Sequence, residues 1–403
     1  PGIEKRSFPK QLAGKLYKKD IPFYREEDLE KLIKKLKVDE VVLSYSDLSH
    51  QDVMMKASRS LSAGANFVLL GPKETQIIPR KPDISITAVR TGAGKSQTSR
   101  KVAQILKDKG YKVIAIRHPM PYGVLKEQVV ERFAAFDDLK RYKCTIEEKQ
   151  EYTPWIELGI PIYAGVDYEK AIRAAEKEAD IIIWDGGNND YSFYKPDLSL
   201  VVVDPHRAGH ELTYYPGMVN FLTAEVIVIN KMDTARAQDV ALLEEHIKQY
   251  NPRATVVYAD SPLTIDRPGL IKNKRVIVVE DGPTLTHGGM TFGAGMVAAR
   301  QGQGNIVDAQ PYAVGSLKEV YLRFPHLKKI LPAMGYSSVQ MKELQETINK
   351  IPADAVIDGS PFDMGRMLKV NKPIVNVRYT LEERGDITLR SILGTFLKKR
   401  KKR

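Results

Sequence analysis

The sequence is poor in cysteine, with Cys144 alone among 403 residues. One thiol excludes an intrachain disulfide and a Cys-rich metal site, and the bland reading of Cys144 is a structural or surface thiol. Long apolar runs are also missing, since no stretch approaches the roughly 18 uncharged residues of a membrane span. The N-terminus lacks the apolar core of a signal peptide, so a soluble cytoplasmic protein with no membrane partner is expected. No Gly-x-Gly-x-x-Gly fingerprint is present, so dinucleotide binding has no support. The chain opens at Pro1 without an initiator Met or an opening strand, and a segment ahead of residue 1 is expected to be missing. What is there suffices to fold: 43% of residues are hydrophobic, and the length points to two or three domains.

The net charge is +12, from 62 Lys and Arg against 50 Asp and Glu. Six of the excess sit in the tail Lys398, Lys399, Arg400, Lys401, Lys402 and Arg403. Residues 1–38 carry 11 basic and 6 acidic side chains, which leaves the body nearly neutral. The body is therefore not a nucleic-acid binder, and the polybasic tail reads as solvated.

Along the chain, the first 72 residues alternate helix and strand, with a β-rich run at 40–44, a helix at 51–62 and a strand at 66–70. They read as a Rossmann-like unit over 1–76. Ser46, Asp47, Ser49 and His50 lie just past its first strand, where open sheets place ligands and where helix capping is the competing role. A Pro-rich linker spans 73–83. A P-loop domain is expected over 82–305, with strands at 84–89, 113–116, 181–184, 198–203, 226–229, 255–258 and 276–279. The fold class is α/β, with a mainly parallel sheet wound by helices on both faces. A small α/β section is expected over 306–397, with strands near 355–357 and 374–377, followed by the basic tail 398–403.

Thr91-Gly92-Ala93-Gly94-Lys95-Ser96, followed by Gln97, carries the strongest chemical signal. Glycines let backbone N–H groups approach a phosphate, a helix N-terminus faces it, and Lys95 reaches the outer phosphates. Ser96 stands where a hydroxyl meets Mg²⁺. The standard spacing wants a further Gly where Val89 stands, but the compact core keeps its strand–loop–helix context. Ile181-Ile182-Ile183-Trp184-Asp185 is an apolar strand ending in a carboxylate, so Asp185 is the second candidate metal ligand. Asn188 and Asn189 belong to the polar turn that follows. Asn230-Lys231-Met232-Asp233 matches the guanine-reading Asn-Lys-x-Asp pattern, because a carboxylate can accept both guanine N1–H and its 2-amino group. Asp260 and Ser261 are placed for a second base-contacting loop.

Three further loops gather cationic and small residues: Arg117 and His118; His206, Arg207 and His210; Thr286, His287 and Gly288. In one parallel sheet all three leave the carboxyl edge beside the P-loop and suit a small phosphorylated second substrate. Arg90 and Arg207, with Lys95, are candidates for stabilising the transferring group. A homodimer is left open.

With these residues in view, the chain resembles the archaeal cyclic 2,3-diphosphoglycerate synthetase family and its GTPase relatives. The likeness runs from the first unit to about residue 385. It rests on residues 88–96, on 117–123, on 184–190 and on 281–290 with Thr284, Thr286 and His287. The resemblance implies a SIMIBI-type P-loop NTPase, the branch of dethiobiotin synthetase, preceded by a Rossmann-like domain. It implies an Mg²⁺-dependent enzyme that uses GTP or ATP to close an intramolecular phosphoanhydride in 2,3-diphosphoglycerate. The competing class is a regulatory or chaperone GTPase acting on a partner protein.

Overall fold

The computed structural model describes residues 5–120, 123–186, 190–286, 288–333, 337–361 and 364–400. Among them, nine strands form one sheet in the order Glu382–Arg384, Thr255–Asp260, Val226–Ile229, Leu198–Val203, Asp83–Ala88, Ile181–Asp185, Val113–Ile116, Ile162–Ala164 and Glu131–Phe133. Every pairing is parallel except at the two outer strands. The central strands are mostly apolar because both faces are covered, with Asp83, Ser85 and Thr87 as buried polar positions in the P-loop strand; Ile181–Asp185 and Val226–Ile229 are buried at every position. The short strands Glu131–Phe133 and Ile162–Ala164 carry no comparable run, and the sequence reading did not anticipate them.

One expectation is corrected. Arg275–Asp281 was expected in the P-loop sheet, but it pairs with Ala355–Asp358, Leu331–Ala333 and Asn305–Ile306 in a second sheet. That sheet continues through Ile374–Tyr379 to Leu263–Ile265, so the second unit begins near 263, well before 306. The reason is physical: a buried Val-Ile-Val-Val run satisfies either sheet equally, and only its packing partners choose. The second sheet has its own core, including Leu285, Leu317, Leu344 and Val356.

The chain then returns. Glu382–Arg384 pairs with Thr255–Asp260, and the helix Leu389–Arg400 buries Leu389, Leu393 and Phe396 in the P-loop core. Lys398, Lys399 and Arg400 therefore end a docked helix, and Arg400 pairs with Asp197. The i, i+4, i+7 spacing of those three apolar residues was the available signal.

In the first unit, Glu40–Val42 and Asn66–Val68 form a parallel pair flanked by Leu29–Leu36 and His50–Ser62. It docks through Leu48–Ser49, which pairs antiparallel with Tyr214–Tyr215. The expected linker contains the short helix Pro72–Thr75 and a bridge from Ile77 to Tyr194. Among the described residues, no helix is long and apolar enough to cross a membrane.

Asp83 opens the P-loop strand, fully buried, with neither carboxylate oxygen hydrogen-bonded. Burial, reinforced by Asp197, raises its pKa well above the ordinary value. A group raised in the folded state stabilises most below its unfolded pKa and loses that contribution as pH rises. Asp83→Asn is therefore expected to raise the melting temperature at pH 8, with the gain shrinking toward pH 4. A constant difference across that range would show that Asp83 does not titrate with folding.

Candidate functional site

The P-loop lies between Asp83–Ala88 and the helix Lys95–Asp108. Gly92 and Gly94 adopt φ of +80° and +110°, and the close approach explains both glycines. A Cβ on Gly94 would stand 2.0 Å from Asn230 Nδ2, and one on Gly92 would meet Thr284 Cγ2 at 2.6 Å. Gly94→Ala is therefore expected to weaken nucleotide affinity by about tenfold or more, since steric strain of 1.4 kcal/mol is already a factor of ten. Isothermal titration checks this; an unchanged Kd would contradict it.

Asp185 ends the strand beside the P-loop strand and is 1% exposed. Its Oδ1 accepts from Lys95 Nζ at 2.9 Å and Ser99 Oγ at 2.8 Å, and its Oδ2 accepts from Arg117 Nη1 at 3.1 Å. Arg117 also pairs with Glu151 at 2.9 Å. Burial pushes the Asp185 carboxyl up, but Lys95 and Arg117 outweigh it and hold the carboxyl well below the usual range. Burial lowers the Lys95 ammonium, with Asp185 opposing. His118 is pushed down to about 3 by burial, Arg117 and Lys95, so its ring is neutral.

Behind the loop, one carboxylate organises two cations. Asp204, fully buried, accepts from Arg207 Nη2 at 2.9 Å and Lys231 Nζ at 2.8 Å. Those cations donate onward to P-loop carbonyls, Arg207 to Thr91 O at 2.7 Å and Lys231 to Gly92 O at 2.7 Å. Asn230 Nδ2 donates to Ala93 O at 2.9 Å. The sequence reading placed Arg207 among the groups facing the transferring charge; its guanidinium instead braces Thr91 and the Gly288 carbonyl, the latter at 2.9 Å.

Arg90 lines the pocket and is held by partners from two other segments. Its Nε donates to Asp47 Oδ1 at 2.6 Å, its Nη1 meets His210 Nδ1 at 2.6 Å, and its guanidinium stacks 3.6 Å from the Tyr214 ring centroid. Asp47 also accepts from Thr91 Oγ1 at 2.7 Å. Of the two roles open to the segment 46–50, Ser49 caps the helix His50–Ser62, while Asp47 touches the P-loop. Burial and Arg90 take His210 down to about 4.

In the turn expected to meet a base, Asp233 Oδ1 accepts from Ser261 N at 3.0 Å, and Ser261 Oγ meets Gln97. Asp260 is engaged by Arg384. His206 Nε2 contacts Thr234 Oγ1 at 2.9 Å, and burial lowers its pKa. Thr286 Oγ1 donates to Gly282 O at 2.8 Å. Asn188, Asn189 and His287 lie outside the described residues.

These groups open on a pocket of about 2010 Å³, whose lining includes Thr91, Gly92, Lys95, Ser96, Arg117, His118, Lys231, Asp233 and Ser261. A single small-ligand site occupies about 300–1,000 Å³, so there is room for a nucleotide and a second ligand. Ser96 and Asp185 supply a hydroxyl and a carboxylate, the hard oxygen donors that suit Mg²⁺ together with phosphate oxygens. Among the described residues no group of three or more His, Cys, Asp or Glu could hold a metal. The sequence reading missed Glu151 and Ser99 and noted Asp204 only as part of the loop before His206, because a lone polar residue acquires its role only from distant partners.

Comparison with known proteins places this geometry. No family model matches the chain. The arginine synthetase ArcE of Thermococcus kodakarensis is 60% identical over 399 residues, covering 99% of this chain and 89% of that protein. The signal recognition particle 54 kDa protein of Pyrobaculum calidifontis is 27% identical over 177 residues, covering 39% of this chain and 36% of that protein. Among solved structures, LpxK of Aquifex aeolicus in complex with ATP aligns with a TM-score of 0.47 and 12% identity, covering 80% of this chain and 90% of that one.

Proposed function

The chain belongs to the family of the arginine synthetase ArcE, and from that membership and the site's geometry we propose that it is an NTP-dependent synthetase that builds a guanidinium group. The observation that carries the reading is the junction of the phosphate cradle with the Asp185–Arg117–Glu151 chain inside one pocket large enough for two ligands.

The chemistry follows from the product. Arginine differs from its ureido counterpart by one nitrogen in place of oxygen. The ureido oxygen attacks the γ-phosphorus, the bond to the nucleoside diphosphate breaks, and ammonia then displaces phosphate from the activated carbon. A ureido compound, ammonium and NTP become a guanidinium, NDP, phosphate and a proton. Lys95 and the P-loop amides hold the outer phosphates, and Arg117 offsets charge on the moving group. Ser96 and Asp185 would hold Mg²⁺ together with the nucleotide, and the ion would neutralise charge on the phosphate oxygens. Neutral His118 is suited to accept a hydrogen bond from the incoming nitrogen.

The family resemblance to cyclic 2,3-diphosphoglycerate synthetases implies a polyanionic acceptor. Glu147, Glu151, Glu157, Glu280, Asp281 and Glu319 line the same pocket together with Arg6, Arg100, Lys149, Arg323 and Arg378, so its wall carries both signs of charge, which accommodates a zwitterion. The test is direct: incubate the protein with NTP, Mg²⁺, ammonium and L-citrulline, and follow arginine and phosphate. Stoichiometric arginine and phosphate support the reading. Phosphate release that ignores the amino acid favours a regulatory GTPase, and a cyclic product from 2,3-diphosphoglycerate favours the other synthetase.

The purine is read, on this proposal, by the turn that contains Asp233. Hydrogen bonds to a charged group contribute about 1.5–3 kcal/mol, so Asp233→Asn is expected to weaken GTP by about 10–100-fold and leave ATP unchanged. Equal losses for both nucleotides would remove Asp233 from base reading.

A further inference from the structure

The pocket wall formed by the second sheet has no role in the nucleotide chemistry above. Arg275–Asp281 is the first of the parallel strands in that sheet, after the antiparallel edge strand Leu263–Ile265; the chain next builds Asn305–Ile306 and Leu331–Ala333 on one side, then crosses to Ala355–Asp358 and Ile374–Tyr379 on the other. Such a reversal opens a crevice at the carboxyl end of the first strand, the place where open α/β sheets take ligands. The crevice floor is Glu280 and Asp281, and Arg378 and Tyr379 stand at the same edge.

This edge is electrically mixed. Glu280, 2% exposed, accepts backbone N–H groups from Gly293, Gly295 and Met296 at 3.1, 3.2 and 2.7 Å. Burial raises its pKa to about 7, so it is partly protonated near neutrality and leaves Asp281 as the principal negative charge. Asp281 accepts from Thr284 N at 3.0 Å. The Tyr379 phenol, raised by burial, also feels Asp281, Arg100, Glu151 and Glu280. Glu151 is the partner of Arg117, which reaches Asp185, so the crevice and the phosphate cradle share one chain of charges.

We infer that this crevice is the subsite for a zwitterionic α-amino acid, with its carboxylate toward Arg378 and its ammonium toward Asp281 beside Tyr379. The ligand's side chain then runs toward Arg117, where its terminal group meets the nucleotide. Both signs of charge at one sheet edge match a zwitterion, and the volume beyond one ligand provides the space. This assignment rests on the synthetase reading.

The test uses the full chain with L-arginine as probe and agmatine, which lacks the carboxylate, as its comparison. Binding to wild type, Arg378→Ala, Arg378→Lys and Asp281→Asn is measured by titration calorimetry with nucleotide present, and melting temperatures establish that each variant folds. The expected result is about a tenfold or larger loss of L-arginine affinity in Arg378→Ala, partial recovery in Arg378→Lys, and no change for agmatine in either. Asp281→Asn is expected to weaken both ligands. If wild type binds L-arginine and the folded variants bind it equally well, the subsite lies elsewhere while the synthetase reading stands. If wild type neither binds nor makes arginine, the synthetase reading fails and takes the subsite with it.

Discussion

Lys95→Ala is expected to lower NTP turnover by about 10²–10³-fold, the usual cost of removing one preorganised donor from developing charge, equivalent to about 2.7–4 kcal/mol. The fold should survive, because Asp185 keeps Ser99 and Arg117 as partners when the ammonium is gone. Loss should therefore fall on kcat as well as nucleotide affinity, with the melting temperature close to wild type. Steady-state phosphate release at saturating NTP measures it; turnover within threefold of wild type would show that Lys95 does not serve the transferring group.

Asp204→Ala is expected to act on stability instead, by about 3–5 kcal/mol, the cost of removing one partner from a buried ion pair. Arg207 and Lys231 would both be left without their shared carboxylate, and the carbonyls of Thr91 and Gly92 would lose well-aligned donors. Asp204→Asn keeps an acceptor oxygen and should cost less. Urea unfolding at pH 7 reads the difference, and a loss below about 1 kcal/mol would mean that the two cations find other partners. The pH dependence has a definite sign. Burial opposes ionisation of Asp204, but Lys231 and Arg207 outweigh it and depress the pKa. Its contribution is thus present above the unfolded aspartate pKa and is lost as the solution is acidified through the folded value, opposite in sense to Asp83.

Much of the site was legible because its signals are local. The glycines of the P-loop, Lys95 and Ser96 must be contiguous to wrap a phosphate, and Asp185 follows an apolar strand that parallel burial demands. What was not legible depends on contacts across the chain. Arg207 reads from sequence as a free cation on a loop; only its distances to Asp204, Thr91 and Gly288 turn it into a brace. Asp47 lies in a different unit from Thr91, and no spacing rule connects them. The strand Arg275–Asp281 was recognised as a strand but given the wrong neighbours, since an all-buried run contains no register information about which sheet receives it. Its loop still reaches the P-loop, with Thr284 against Gly92, because the carboxyl ends of both sheets face the same pocket.

The two passages between the sheets run side by side. Residues 255–265 go out and 374–384 come back; Thr255–Asp260 pairs with Glu382–Arg384, Leu263–Ile265 pairs with Ile374–Tyr379, and Thr380 N donates to Pro262 O at 3.4 Å. The two passages therefore form one antiparallel ribbon between the sheets, with Pro262 and Thr380 at its crossing point. Ser261, which touches both Asp233 and Gln97, is next to that crossing point. The ribbon thus ties the second sheet by backbone hydrogen bonds to the turn whose Ser261 holds Asp233 and meets Gln97.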